Sequence, residues 1–181
     1  MRLRQVAIAA LSVTVDPETG DEKVYFADDA ASAKLTALRG IVDYWGDQPV
    51  GILTDSKIGA DLTVRRMTAA GYSARAWTGD LSRPEREKLK QAFMAGEFQY
   101  LVGTIQSMGT GIDGLQKVCS KVIWLSEADG NPALNDQALK RYFRPGRTTQ
   151  NGDFQSVKLV LTGSVDEISL EQLIDKAYRV R

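Results

Sequence analysis

The chain of 181 residues contains no histidine and a single cysteine, Cys119. These absences exclude catalytic triads that use histidine, disulfide frameworks and nearly every zinc site, so no metal-binding residue is predicted. Cys119 precedes an apolar run and is interpreted as a small core residue rather than a nucleophile. A lone cysteine suits a reducing environment, and a cytoplasmic or other reducing intracellular location is expected.

An excess of charge and long apolar runs are also absent. The 23 basic residues balance the 23 acidic ones, so any nucleic-acid contact must come from local placement of basic groups. No apolar run approaches the roughly 18 residues of a membrane span, and no secretory signal or membrane partner is expected. The length and the 43% hydrophobic content are those of one domain, predicted to cover residues 1–181.

Apolar periodicity predicts alternating strands and helices. Strands are predicted at 50–54, 73–77, 100–104, 121–126 and 156–163, and helices at 32–46, 57–71, 82–96, 132–143 and 164–180. This alternation predicts an α/β fold in which a parallel sheet carries helices on both faces. Residues 13–26 break the rhythm and predict an inserted β-hairpin. The segments 106–120 and 144–153 lack regular patterns, and such loops at strand ends are where ligands usually bind.

A glycine motif within 109–114, "GTGIDG", matches the dinucleotide fingerprint G-x-G-x-x-G. In that fingerprint the glycines follow the strand at once and open a helix. Here four residues separate the strand from Gly109, and the six residues after Gly114 are too few for the crossover helix. The spacing therefore disfavours a nicotinamide-dependent oxidoreductase, which would bind NAD. A phosphate-binding P-loop, G-x-x-x-x-G-K-[ST], is missing from the chain.

An arginine-rich segment follows, "NPALNDQALKRYFRPGRT" (131–148). Gln137, Arg141 and Arg144 are spaced four and three apart and share one helix face, and Arg147 lies at the exit. Clustered arginines repel one another unless an anion neutralises them, and phosphate matches their fork of donors. A solvated basic face is the alternative interpretation of this helix alone.

Together, "LVGTIQSMGTGID" and "KVIWLSEADGNPALNDQALKRYFRPGR" resemble the second, C-terminal RecA-like lobe of superfamily-two helicases and translocases, above all the Swi/Snf-type. Asn131 and Pro132 match the N-P of the family's W-N-P, and "QALKRYFRPG" matches Q-A-x-D-R-x-x-R-x-G. Upstream, "VGILTDS" resembles the strand that opens the lobe, and Gly79, Arg86 and Phe93 match a further segment. Gly130, Lys140 and Arg147 depart from the Swi/Snf pattern, whereas "GID" and "RxxRxGR" resemble DEAD-box proteins. The likeness covers nearly the whole chain except the hairpin.

The resemblance implies half of an ATP-dependent DNA helicase or translocase. In such enzymes ATP with Mg²⁺ lies between two lobes, and the first lobe supplies the P-loop and the acid that holds magnesium. The second lobe supplies arginine fingers, matched here by Arg144, Arg141 and Arg147, with Gln137 linking the phosphate site to the first lobe. Gly109 and Gly111 are expected to approach the nucleotide, and Asp113 its ribose.

Nucleic-acid contacts are expected at the strand-to-helix turns, where hydroxyls and free N–H groups hold phosphates. The positions matching the family's backbone-gripping residues are Thr54, Ser56, Thr78, Gly79 and Thr104, each of which could also be an ordinary helix cap. Double-stranded DNA is the expected partner, with RNA possible, together with a first RecA-like lobe in cis or in trans. The lone chain, without P-loop and D-E-x-x box, is predicted to be inactive. The alternative function is a non-catalytic nucleic-acid- or protein-binding module.

Overall fold

A computed structural model describes residues 7–26, 31–109, 112–128, 131–144 and 152–179. The strands are β1 (Leu11–Val15), β2 (Glu22–Phe26), β3 (Val50–Thr54), β4 (Ala74–Trp77), β5 (Tyr100–Thr104), β6 (Lys121–Trp124) and β7 (Gln155–Lys158). The helices are α1 (Ala33–Trp45), α2 (Lys57–Ala69), α3 (Arg83–Met94), α4 (Ile105–Gly109), α5 (Pro132–Leu139) and α6 (Val165–Arg179). A 3₁₀ turn spans Leu115–Lys117.

Strands β3 to β7 form one parallel sheet in the order β4-β5-β3-β6-β7. The chain moves from the central strand β3 to one side of the sheet for β4 and β5, and then to the other side for β6 and β7. All five carboxyl ends therefore meet at one edge, where a doubly wound sheet usually binds its ligands. The predicted RecA-like α/β fold is confirmed.

Helix boundaries follow local chemistry. Ser32, Ser56 and Ser82 are the N-caps of α1, α2 and α3, and each side chain accepts a hydrogen bond from a first-turn N–H. In α3 the cap is reciprocal, because the Glu85 carboxylate also accepts from the Ser82 N–H at 2.7 Å. Gly96 follows the helix with φ of +77°, a conformation that suits glycine.

The sheet carries helices on both faces, as predicted. Along β3, Val50 and Ile52 pack with α1 and α2 on one face, whereas Leu53 points to the other. That second face is covered by α3, α4 and α5, through residues that include Phe93, Met108 and Ala138. Alternation along the buried strands thus separates two apolar clusters.

The predicted hairpin is confirmed, with antiparallel β1 and β2 in the register Leu11↔Phe26 to Val15↔Glu22. Its turn is fixed by Asp16, whose carboxylate accepts from the N–H groups of Glu18 and Thr19 at 2.8 and 3.1 Å. At its base, the Ala10 N–H donates to the Ala31 carbonyl at 3.2 Å. The hairpin therefore leaves the body beside the N-terminus of α1.

Several sequence-based boundaries were wrong. The segment 106–120, expected to be irregular, contains most of α4 and the 3₁₀ turn. The helix expected over 132–143 ends at Leu139, and β7 is shorter than the predicted strand. Strand β5 runs directly into α4, and the glycine motif begins only at the last residue of that helix. The motif therefore does not follow a strand directly, in agreement with its spacing in the sequence. Among the helices described, none is long and apolar enough to cross a membrane.

Candidate nucleotide and nucleic-acid sites

The arginine-rich segment is anchored by Tyr142, which is completely buried on the α3–α5 face of the sheet. Burial raises the pKa of its phenol well above the ordinary value. Arg141 and Arg144 flank this anchor, and both are partly exposed. The buried ring therefore fixes the position of the backbone on either side of it, from which the two arginine side chains extend.

Arg141 connects the segment to α4. Its Nη2 donates to the carbonyl of Gly109, the last residue of α4. Its Nε is buried and has no partner within the part of the chain that the structure describes. A guanidinium bound to a helix-terminal carbonyl braces the two helices against each other. Arg141 thus has a structural contact whether or not it also meets a nucleotide.

Arg144 forms an ion pair with Asp113, Nη1 to Oδ1. The Arg144 side chain is 33% exposed and that of Asp113 is 71% exposed. Exposed pairs of this kind contribute little stability, so another anion can replace the carboxylate. The planar guanidinium suits a phosphate, and the buried Tyr142 nearby fixes the backbone that carries it.

The remaining predicted nucleotide residues fall into two groups. Gln137 packs against Gly109, where an added Cβ would lie 3.6 Å from Gln137 Oε1. That distance is ordinary contact, and Gly109 has no positive φ, so packing within the chain does not by itself require glycine at this position. Gly111 and Arg147 lie outside the described residues.

A cavity of about 600 Å³ opens where the turns after β3, β4 and β5 meet. We call it the edge cavity; its lining includes Ser56, Lys57, Gly79, Asp80, Arg86 and Thr104. Three of the five predicted nucleic-acid residues therefore line one cavity: Ser56, Gly79 and Thr104.

Two of the predicted threonines have no proton to donate to a phosphate. Ser107 Oγ donates to a carbonyl, Trp77 O at 2.9 Å or Thr104 O at 3.0 Å, so Thr104 is the donor in its 2.7 Å bond to Ser107. By the same reasoning Thr54, buried beneath the cavity, donates to Ser126 Oγ at 3.1 Å, because Ser126 donates to the Asp55 carboxylate. Phosphate oxygens only accept, so neither hydroxyl suits them as it stands.

Ser56 has the opposite arrangement. It is 5% exposed, lines the edge cavity and accepts from the Gly59 N–H at 3.2 Å. Its own proton has no acceptor within the described part of the chain, so the hydroxyl can donate into the cavity. Ser56 is therefore the predicted residue whose geometry best suits an anion.

The turn after β4 is shaped by Arg86. Its Nη2 donates to the carbonyls of Gly79 at 3.0 Å and Thr78 at 3.4 Å, and its guanidinium lies 5.9 Å from the centre of the Trp77 ring. Thr78 is buried beside it. Arg86 thus holds the turn in shape, and its charge is partly used within the lobe.

Sequence reasoning missed one ion pair in the edge cavity, between Lys57 Nζ and Asp80 Oδ2. The hydrogen bond from Lys57 to Asp80, with its Coulombic attraction, raises the pKa of Lys57. Each residue directly follows a predicted contact, Ser56 or Gly79, at a strand-to-helix turn. Lys57 and Asp80 could have been predicted from the sequence, because the carboxyl ends of parallel strands converge at one sheet edge.

The strand order and the helices on both faces of the sheet are those of a RecA-like lobe, and the arginine segment packs on one of these faces through Tyr142. Solved structures share this fold. The C-terminal part of the Fun30 ATPase domain matches with a TM-score of 0.72 and 19% identity, over 82% of this chain and 48% of that one. The C-terminal domain of the DEAD-box protein Dbp5 matches with a TM-score of 0.60 and 20% identity, over 79% of this chain and 77% of that one.

Curated relatives share sequence as well. DNA repair protein rhp54 of Schizosaccharomyces pombe is 25% identical over 143 residues, which are 77% of this chain and 16% of that protein. DNA repair and recombination protein RAD54 of Saccharomyces cerevisiae is 27% identical over 121 residues, 67% of this chain and 13% of that protein. No protein-family model matches the chain.

These similarities confirm the resemblance to a Swi/Snf-type second lobe with DEAD-box-like features. The chain is similar to one lobe of these proteins, and it spans less than a fifth of the length of the curated relatives it matches.

Proposed function

We propose that this chain is the second lobe of an ATP-dependent DNA helicase or translocase, with Arg144 as its principal arginine finger. The observation that carries the proposal is the Arg144 side chain, which is partly exposed and paired with the largely exposed carboxylate of Asp113. A phosphate can take the place of that carboxylate without uncovering a buried charge. Fixed positive charge at a transferring phosphoryl group is worth about 10³ to 10⁵ in rate.

Neighbouring residues support Arg144. Arg141 holds α4 against α5 through its hydrogen bond to the Gly109 carbonyl. Gln137 is exposed next to Gly109, where it can reach a facing lobe. Arg147 and Gly111 belong to the proposed site on the resemblance alone, and Asp113 contacts the ribose once Arg144 has left it.

ATP with Mg²⁺ is the proposed cofactor. Its hydrolysis would drive the opening and closing of the two lobes. The arginine donors suit phosphate, whereas the sequence provides neither a P-loop nor a magnesium-binding acid box. A first RecA-like lobe, in cis or in trans, is therefore the proposed source of both. By itself the chain is expected to be inactive.

Double-stranded DNA is the proposed substrate, held by its phosphates in the edge cavity. Ser56 donates its free hydroxyl proton, and the exposed Gly79 allows close approach of a backbone. Thr54, Thr78 and Thr104 support these turns from below, and Thr54 and Thr104 contact phosphate only if their hydroxyls rotate. The names of the two curated relatives, both DNA repair proteins, favour DNA over RNA.

The test is ATP turnover by the chain alone and by the chain mixed with a P-loop-bearing first lobe of the same class, each with and without duplex DNA. Turnover is expected only in the mixture, and DNA is expected to stimulate it. DNA binding by the chain combined with no turnover in any mixture would favour the alternative, a non-catalytic binding module.

A further inference from the structure

Lys57 and Asp80 meet at the solvent side of the edge cavity, where the turns after β3 and β4 come together. Their side chains are 55% and 62% exposed, and they form an ion pair between Nζ and Oδ2. Both residues line the cavity. The pair therefore spans the opening through which a phosphate would enter.

Three features make this place suitable for an anion. Lys57 begins α2, and the N–H groups of a first helical turn lack intrahelical acceptors. The buried Ser56 hydroxyl, which also lines the cavity, has a proton with no acceptor in the described part of the chain. Lys57 adds a full positive charge on a flexible side chain.

Two acidic residues line the cavity, Asp55 and Asp80. The Asp55 carboxylate accepts a hydrogen bond from Ser126 at 2.7 Å. Asp80 instead points at the cation itself, and its carboxylate is the anion that Lys57 contacts in the isolated lobe. An exposed lysine–carboxylate pair is weak, so a phosphate that also receives bonds from Ser56 and the helix N-terminus can displace it.

We propose that Lys57 is a further phosphate-binding residue of the edge cavity and that Asp80 is the carboxylate it exchanges for a backbone phosphate of nucleic acid. This proposal rests on the proposed function, because it takes nucleic acid as the ligand of the cavity. Asp80 then lowers the affinity of the cavity for nucleic acid, because it competes for Lys57. It also favours ligands whose phosphate reaches Ser56, because that additional bond helps to displace the carboxylate.

The test is binding of the full chain to a short fluorescein-labelled DNA duplex, followed by anisotropy over a range of salt concentrations. Asp80→Asn is expected to tighten binding about three- to tenfold at low salt, because it removes the competing charge. Lys57→Ala is expected to weaken binding by a similar factor and to lower the salt slope by about 1. In the Lys57→Ala background, Asp80→Asn should have a clearly smaller effect, because its competition acts through Lys57.

A matched control exists at the C-terminal end of α5, where Lys140, directly after the helix, forms another exposed pair with Asp136, at 64% and 56% exposure. Lys140→Ala and Asp136→Asn each change the net charge by the same amount as the matching substitution at the cavity, and they are expected to shift affinity much less. If each control substitution shifts affinity as much as its counterpart at Lys57 or Asp80, only net charge matters and the proposal is overturned.

Two other outcomes separate the inference from the proposed function. If Lys57→Ala weakens binding while Asp80→Asn weakens it too, Asp80 orients Lys57 and the exchange is wrong, although the DNA site stands. If the wild-type chain binds no DNA at any salt concentration, both the inference and the proposed nucleic-acid role fail.

Discussion

The ring of Tyr142 occupies the space that a side chain at position 51 would need. A Cβ built on Gly51 would lie 2.5 Å from three atoms of the Tyr142 side chain, closer than real Cβ contacts allow. Gly51 is in the central strand, and Tyr142 lies between Arg141 and Arg144. This one contact therefore sets the position of the arginine segment relative to the sheet.

Gly51→Ala is expected to destabilise the chain and to move the arginines. Overpacking of this kind costs about 1 to 3 kcal/mol, because the buried ring must shift. Denaturant unfolding measures the cost, and ATP turnover with a first lobe should fall with it. Gly40→Ala is the control: Gly40 lies in α1 with nothing within 4 Å of its added Cβ, so that change should stabilise by about 0.5 to 1 kcal/mol. Equal effects of the two substitutions would contradict the contact.

Tyr142→Phe is expected to leave the free energy of unfolding unchanged or to raise it by up to about 1 kcal/mol, because the buried hydroxyl has no partner among the described residues. The same unfolding experiment measures this. A loss of more than about 1 kcal/mol would mean that the hydroxyl makes a bond that the structure lacks.

Arg141 and Arg144 should separate in stability measurements. Arg141→Ala leaves the Gly109 carbonyl without its charged donor and is expected to cost about 1.5 to 3 kcal/mol. Arg144→Ala breaks an exposed pair and is expected to cost less than about 1 kcal/mol. Thermal or urea unfolding of the two variants decides the matter. If both substitutions cost the same stability, Arg141 has no greater structural role than Arg144, contrary to the assignment.

Ser56 and Thr54 should differ in DNA binding. Ser56→Gly removes the free donor while keeping an acceptable N-cap, and is expected to weaken duplex binding about three- to tenfold. Thr54→Val keeps the shape of a buried residue whose proton is already used, so affinity should be unchanged. Binding isotherms measured side by side make the comparison. A loss of affinity for Thr54→Val alone would show that the hydroxyl assignments are wrong.

Cys119 should report on global unfolding. It is completely buried, and burial raises the pKa of its thiol to about 12. The unfolded thiol ionises near its ordinary value, so the folded chain holds the proton longer and loses stability as pH rises above about 9. Cys119→Ala should flatten this fall in the free energy of unfolding. Rapid labelling of the native thiol by iodoacetamide at neutral pH would contradict its burial.

Much of the fold was predictable because its signals are local. The serine caps at 32, 56 and 82 start helices where the sequence indicated, and β3 has the predicted bounds. Local pattern failed over 106–120, where Ile105 to Gly109 form a helix that their sequence hardly favours. Its Ser107 bonds to Trp77, and its last carbonyl to Arg141, so tertiary contacts stabilise it.

The turns that form the site were predictable from the sequence, but the ion pairs between residues of different segments were not. The convergence of Ser56, Gly79 and Thr104 follows from parallel strands, whose carboxyl ends share an edge. The ion pairs of Lys57 with Asp80 and of Arg144 with Asp113 join residues 23 and 31 positions apart. Such pairs depend on how the turns pack together, which spacing along the chain does not encode.

The most direct test of the arginine-finger assignment is DNA-stimulated ATP turnover of the two-lobe mixture with Arg144→Ala. Turnover is expected to fall about 10³- to 10⁵-fold while DNA binding and the unfolding midpoint stay near those of the wild type. Arg75→Ala, at an exposed arginine on strand β4, serves as the control and should retain turnover. Turnover that persists in Arg144→Ala at the level of the control would contradict the assignment and leave a binding module as the better account.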